Sequence, residues 1–409
     1  MYVCIHSKQI GVRKHLLIAL GSPEYTWVDD IPPDTWVYGC EDSRKDLAHV
    51  SKMFKQQLKD VIPPEYKRMM NNITGTDTGI CWHSVIPSEL YKNRLMGLVN
   101  QCKELISALV DSGYHDQFCM AQNLVGSFSR SHVSRKKIEK YLKMEKNPTN
   151  ISCLKTFYPD ESGQAPHVTY DFYGTTTGRS TIKKGPRILT LPTIYKDILA
   201  PSHTSKALVQ VDFVSLEPRV ALSVSATRED PQSHDIYEQI NHLLFDKVLS
   251  RAQVKLATLC ALYGASASRL SGISSSLKST DIVNKIKKYF GVYSMTNKLK
   301  LQLKQQGFLQ NYYGRPLFFE DLDDYRVYNH YIQSTSCDIA IRGFSNLLSS
   351  CSSLNIDITP LYIIHDALVV EIDKNNLKAF SELSSQGIKI KNLGNFPISL
   401  EVMPGNNPN

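Results

Sequence analysis

In NRLMGLVNQCKELISALV, residues 93–110, apolar positions recur every three or four residues, the spacing of one buried helix face. Residues 90–145 are therefore predicted to be mainly helical. Residues 1–60 mix short apolar runs, read as strands, with a helical stretch, DSRKDLAHVSKMFKQQL. From about residue 166 the texture changes. VTYDFYG and ALVQVDFV are strand-like, the region from about 235 to 306 is helical, and PLYIIHDALVVEI reads as strand, tight turn, strand. Strands that flank a helical insertion imply one sheet interrupted by a helical subdomain, an α+β architecture. The chain shows no internal repeat and no long low-complexity tract.

Composition adds bounds. A chain of 409 residues allows two or three domains and a large core, and 42% hydrophobic with 21% charged residues describes an ordinary globular protein. The net charge of +8 suits a phosphate-backbone partner without proving one. The stretch SRSHVSRKKIEKYLKMEK concentrates that charge. On a helix it presents Arg135, Lys136, Lys137, Lys140 and Lys143 around a polar face, which fits a solvated surface helix as well as a duplex contact. Nine cysteines form no CxxC pair and no zinc spacing, so free thiols in a reducing compartment are expected. No apolar run approaches the roughly 18 residues of a membrane span. The N-terminus has a short apolar patch but no cleavage site, so a cytoplasmic protein without membrane partners is expected.

The candidate chemistry starts with two aspartates. Asp212 ends the strand ALVQVDF, and Asp366 sits at the turn of LYIIHDALVVEI. A carboxylate embedded in an apolar strand is costly to bury unpaired. Two of them facing one another across a shared cation pair would be reconciled, with two metals about 3.5–4 Å apart. Either aspartate alone is as easily a turn cap. In RAQVKLATLCALYGAS, Arg251, Lys255, Leu259 and Tyr263 are spaced four apart and share a helical stripe. Two cations one turn apart can grip a triphosphate, and an exposed basic helix would look the same. Three weaker elements follow: GTTTGRST, a polar turn with Arg179; NYYGRPLFFE, a hairpin-like run around Gly314-Arg315; and YNHYIQSTSCDIAIRGF, whose Asn329 and Gln333 open an amphipathic helix.

In this order the elements resemble the polymerase domain of family A DNA polymerases, the class of bacterial DNA polymerase I. TTTGRST is similar to the family's TATGRLS segment, which implies a primer-duplex contact for Arg179. VDFVSLEPRV resembles motif A, implying Asp212 as a metal ligand and Glu217 as the residue that rejects ribonucleotides. HDIYEQI resembles the segment beyond it, with Tyr237 where a phosphate-side histidine is common. RAQVKLATLCALYG resembles motif B, so Arg251 and Lys255 would bind triphosphate, Leu259 would abut the incoming sugar and Tyr263 would guard the insertion site. NYYGRPL resembles a turn that would bring Arg315 to DNA. YNHYIQSTSCDIAI implies duplex contacts for Asn329 and Gln333, and IIHDALVVEI resembles motif C, with His365 beside the primer and Asp366 as second metal ligand. Ala367 stands where the family usually has glutamate, Leu259 replaces an aromatic residue and Cys260 a glycine. These departures leave the reaction type intact and bear on nucleotide selectivity.

The resemblance implies a right hand: an N-terminal region at 1–84, thumb at 85–165, palm at 166–222 and 331–409, and fingers at 223–330. It also implies two Mg²⁺ ions, primer-template DNA and deoxynucleotides as partners, and other replisome proteins. VYGCEDSRKDLAHVSKMFKQQL is similar to the family's last exonuclease motif, with Tyr38 and Asp42 as its phenol and carboxylate. The earlier exonuclease motifs are expected to be missing, as in a compact viral or phage form working in the host cytoplasm. Either a separate exonuclease chain docks on residues 1–60 and completes that site, or the segment is a decayed remnant covered by the thumb. Two rival readings are a single-subunit RNA polymerase, which Glu217 opposes, and an inactive primer-template scaffold, which Asp212, Lys255 and Asp366 oppose.

Overall fold

A strand buried on both faces organises each half of the chain. The computed structural model describes residues 1–22, 24–40, 45–76, 78–225, 235–319 and 324–404. The chain divides into two compact units, Met1–Asn123 and Leu124–Asn409.

In the first unit, β1 (Tyr2–Ile5), β2 (His15–Ala19), β3 (Tyr25–Val28) and β4 (Trp36–Tyr38) form one sheet in the order β3-β2-β1-β4. Strand β1 is antiparallel to β2 and parallel to β4, and its Val3, Cys4 and Ile5 are fully buried. Strand β3 is an edge, with Tyr25 and Trp27 exposed. Helix α1 (Ser88–Asp111) buries Leu95, Leu98, Val99, Cys102, Leu105, Ile106 and Leu109, the face that the apolar spacing predicts. The helix expected over residues 42–58 is shorter, Leu47–Met53. Asp46 caps its start, and Lys55 ends it in a left-handed conformation with φ 51° while Gln56 N–H returns to the Ser51 carbonyl. Tyr38 stands on β4. Asp42 lies outside the described residues.

In the second unit, α2 (Arg135–Met144) is capped by Ser134, whose hydroxyl accepts from Lys137 N–H. Its basic face is divided. Arg135 stacks over Tyr158 and Lys137 pairs with Asp197, whereas Lys136, Lys140 and Lys143 point to solvent. The central sheet is built from β5 (Lys206–Phe213), β6 (Ile358–Ile364), β7 (Ala367–Asp373) and β8 (Ile398–Val402), all antiparallel, in the order β6-β7-β5-β8. Among the described residues β5 is followed by the helices α3 (Leu216–Val224), α4 (Ile236–Phe245), α5 (Arg251–Leu262), α6 (Ser279–Tyr289) and α7 (Val292–Gln306). This is the helical insertion between sheet strands that the sequence predicts. The long α8 (Asp324–Ser353) then leads back to β6 and packs on the sheet, with Phe344 against Phe213 at 5.2 Å between ring centroids. Gly343 makes that approach possible, since a Cβ there would lie 2.7 Å from Phe213 Cζ.

Candidate active site

The two aspartates meet because of strand register. Asp212 is the penultimate residue of the central strand β5 and pairs with Ala367, the first residue of β7. Asp366 immediately precedes Ala367, in the two-residue turn that joins β6 to β7. The turn holds His365 at φ 57°, a left-handed conformation sparsely populated by non-glycine residues. Both aspartates line one cavity of about 510 Å³. Burial, and secondarily the neighbouring Asp366 charge, push the Asp212 carboxyl up to about 6, with Lys196 opposing them. A positive charge beside the two carboxyls would favour the ionised form of Asp212. The oxygens of the pair are hard donors suited to Mg²⁺, so the residues fit a divalent cation. Among the described residues no group of three His, Cys, Asp or Glu side chains clusters as a metal site.

The opposite wall comes from α5. A capping box between Ser250 and Gln253 starts this helix at Arg251. From there the predicted stripe runs inward. Arg251 and Lys255 are exposed, Leu259 and Tyr263 are half-buried, and Lys255, Leu259 and Tyr263 line the cavity. Arg251 stays at the rim, where it pairs with Asp235 and lies 5.4 Å over the Tyr237 ring. Asp235 also caps α4 by accepting from Tyr237 and Glu238 N–H. Tyr237 reaches the cavity and hydrogen-bonds Ser215, which precedes α3 at φ 56°.

Glu217, in the first turn of α3, connects both walls. Its Oε1 accepts from Arg179 Nη2 at 3.1 Å and its Oε2 from the Tyr263 hydroxyl. Burial first, and then Glu217, raise the Tyr263 phenol above its usual range. Gln333 joins from α8. With its amide oriented by its partners, it accepts from Arg179 at 2.9 Å and donates to Thr177 Oγ1 at 3.0 Å. Thus the cavity gathers Arg179, Asp212, Glu217, Tyr237, Lys255, Leu259, Tyr263, Gln333, His365 and Asp366.

Two predicted residues lie elsewhere. Asn329, one helical turn before Gln333, is half-buried and does not line the cavity. Arg315, expected at DNA, is only 2% exposed and donates to the Phe172 carbonyl. Sequence reasoning missed Asp235, Lys196, Ser215 and Thr177. Only Asp235 carried a signal, as an aspartate opening the helical run IYEQI. The others owe their place to tertiary approach.

The profile of DNA polymerase family A matches residues 103–408. The chain belongs to this family. It is a DNA-directed DNA polymerase, and enzymes of this family use divalent metal ions. No curated protein sequence matches it significantly. Among solved structures, the POL domain of Pol1 from M. smegmatis, in complex with DNA primer-template and dNTP, is similar in fold. The match has a TM-score of 0.67 at 12% identity and covers 99% of this chain and 95% of that one. No helix among the described residues of the polymerase is long and apolar enough to cross a membrane.

Proposed function

We propose that this polymerase adds deoxynucleotides to a primer 3′ end in the cavity bounded by β5, the β6–β7 turn, α3, α5 and α8. The observation that carries this reading is the meeting of Asp212 and Asp366 on one wall with Lys255 on the other. The solved POL domain of similar fold holds primer-template and dNTP, and this cavity has the groups to take the same ligands. Asp212 and Asp366 would hold two Mg²⁺ ions, which supply positive charge to the attacking 3′-hydroxyl and the departing pyrophosphate. Lys255 and Arg251, one turn apart, grip the triphosphate, the lysine as a point charge and the arginine as a fork. Tyr237, whose ring Arg251 covers, closes the phosphate side. Leu259 and Tyr263 face the sugar and base.

Arg179 and Gln333 meet the primer duplex, and His365 orients the primer end from its strained turn. Glu217 fills the space of a 2′-hydroxyl, which favours a deoxynucleotide substrate over the single-subunit RNA polymerase reading. Within the second unit, the β5–β8 sheet is assigned as palm and α4–α7 as fingers. Primer extension with separate deoxy- and ribonucleotide pools tests the whole reading. Wild-type extension by deoxynucleotides, lost in Asp212→Asn and Asp366→Asn while primer-template binding persists, supports it. Extension by either variant within about tenfold of wild type would overturn the metal assignment.

A further inference from the structure

Arg315 is an outlier, a guanidinium sealed from solvent whose side chain reaches Phe172, Tyr173 and Gly178, far from it in sequence. It ends the turn Asn311–Arg315, which joins the short strands Leu309–Gln310 and Pro316–Leu317. That turn is fixed to α8 by Asn311. The Asn311 amide donates to Ser334 Oγ at 3.0 Å and to Asp338 Oδ2, and its Oδ1 accepts from Tyr313 and Arg315 N–H, both at 3.0 Å. Asn311 is 4% exposed and Asp338 1%, so the anchor is a buried polar network, which holds its geometry tightly when satisfied.

From this anchor the Arg315 side chain reaches the segment Phe172–Arg179. Its Nη2 donates to the Phe172 carbonyl, and its Cζ lies 5.4 Å over the Tyr173 ring. Gly178 packs directly on the guanidinium. A Cβ there would sit 2.7 Å from Arg315 Cζ, and the residue holds φ +76°. The next residue is Arg179, which meets Glu217 and Gln333 in the cavity. The path from the α8 network through Asn311, Arg315 and the Gly178 turn therefore ends at a residue of the site.

We infer that Arg315 is a positioning residue: it touches no substrate, and its buried guanidinium sets the turn that presents Arg179 to Glu217 and the primer duplex. This rests on the proposed role of Arg179. The fork matters as well as the charge, because one end serves the Phe172 carbonyl while the planar body fills the space under Gly178 and over Tyr173. A lysine keeps the charge and loses the plane.

The test is a double-mutant cycle of Arg315→Lys and Arg179→Ala, read as single-turnover rate and dNTP affinity on saturating primer-template, with thermal midpoints recorded for every variant. Arg315→Lys is expected to lower the rate by about 10- to 100-fold, the scale on which misplaced catalytic neighbours act, with a smaller change in dNTP affinity. In the Arg179→Ala background the same change should have almost no effect. Gly178→Ala, which perturbs the turn from its other side, is expected to reproduce the Arg315→Lys split and serves if Arg315→Lys folds poorly. Full additivity of Arg315→Lys (or of Gly178→Ala) with Arg179→Ala overturns the positioning role. So does a fall in the salt dependence of primer-template binding by about one ion, which would mark Arg315 as a phosphate contact. If Arg179→Ala itself leaves rate and primer-template binding unchanged, the reading of Arg179 fails, and the positioning role built on it fails with it.

Discussion

Glu217→Ala should reduce discrimination against ribonucleotides by an amount that its two partners set. If Glu217 occupies the place of a 2′-hydroxyl, as proposed, a ribonucleotide must displace the carboxylate from both the Tyr263 hydroxyl and Arg179. The Tyr263 bond is charge-assisted and half-buried, worth about 1.5–3 kcal/mol. The Arg179 pair counts for less. The arginine side chain is 52% exposed, and solvent screening leaves such a pair about 0–1 kcal/mol. Together they resist displacement by about 1.5–4 kcal/mol, or roughly 10- to 700-fold in selectivity at 1.4 kcal/mol per decade. Glu217→Ala removes the whole barrier. Tyr263→Phe keeps the ring and removes the larger restraint, so it should lower discrimination by about 10- to 100-fold with Glu217 still in place. The assay is single-turnover incorporation of matched deoxy- and ribonucleotides, comparing kcat/KM ratios. If Glu217→Ala shifts the ratio by less than about threefold, Glu217 does not select the sugar. If Glu217→Ala shifts it and Tyr263→Phe does not, bulk alone acts and the restraint argument is wrong.

Leu259 lacks the phenolic hydroxyl that a tyrosine at this position would offer in place of a missing 3′-hydroxyl. The wild type should therefore discriminate against dideoxynucleotides and Leu259→Tyr should relax this, as chain-termination ratios would report. Asp235→Ala removes both the Arg251 partner and the α4 cap. It is expected to weaken dNTP affinity more than the rate in pre-steady-state titrations, and an effect on rate alone would refute the rim role. The Glu145 carboxyl is held down to about 2 by the Asn147 N–H and by the Tyr195 hydroxyl and Asn150 amide, against 4.5 when free. A carboxyl depressed on folding stabilises fully above its free value, so this contribution should vanish as pH falls from about 4.5 toward 2. Glu145→Gln should flatten the thermal midpoint over that window, and an unchanged profile would count against it.

What the sequence made legible follows from how local each cause is. The stripe of α5 is a matter of helical period, and its inward run from Arg251 to Tyr263 appears in the structure as the spacing implies. Asp212 and Asp366 were visible as charges in apolar strands, but their meeting depends on the pairing of Ala367 with Asp212, and no local pattern encodes a register between strands so far apart. The burial of Arg315 was hidden for the same reason. A Gly-Arg turn looks like an exposed contact until the Asn311 network carries it under Gly178. The end of the helix Leu47–Met53 was overrun because Lys55 adopts φ 51°, which residue type alone does not announce.

Charge in the cavity is segregated by wall, and that segregation specifies the ligand more narrowly than any single residue. Asp212 and Asp366 stand on the sheet side, and Lys255, with Arg251 at the rim, on α5. A neutral or singly charged ligand would leave one wall uncompensated. A triphosphate with its cations presents positive charge to the aspartates and phosphate oxygens to the helix, so both walls are satisfied at once. Glu217 would disturb this arrangement as a third free carboxylate, competing for the cations. Its pairing with Arg179 and Tyr263 would prevent that, because Arg179 offsets the charge and the two bonds hold the side chain between the walls. On the proposed reading the same two bonds would serve separate ends: they would keep Glu217 from competing for the cations, and they would stiffen the side chain that faces the sugar.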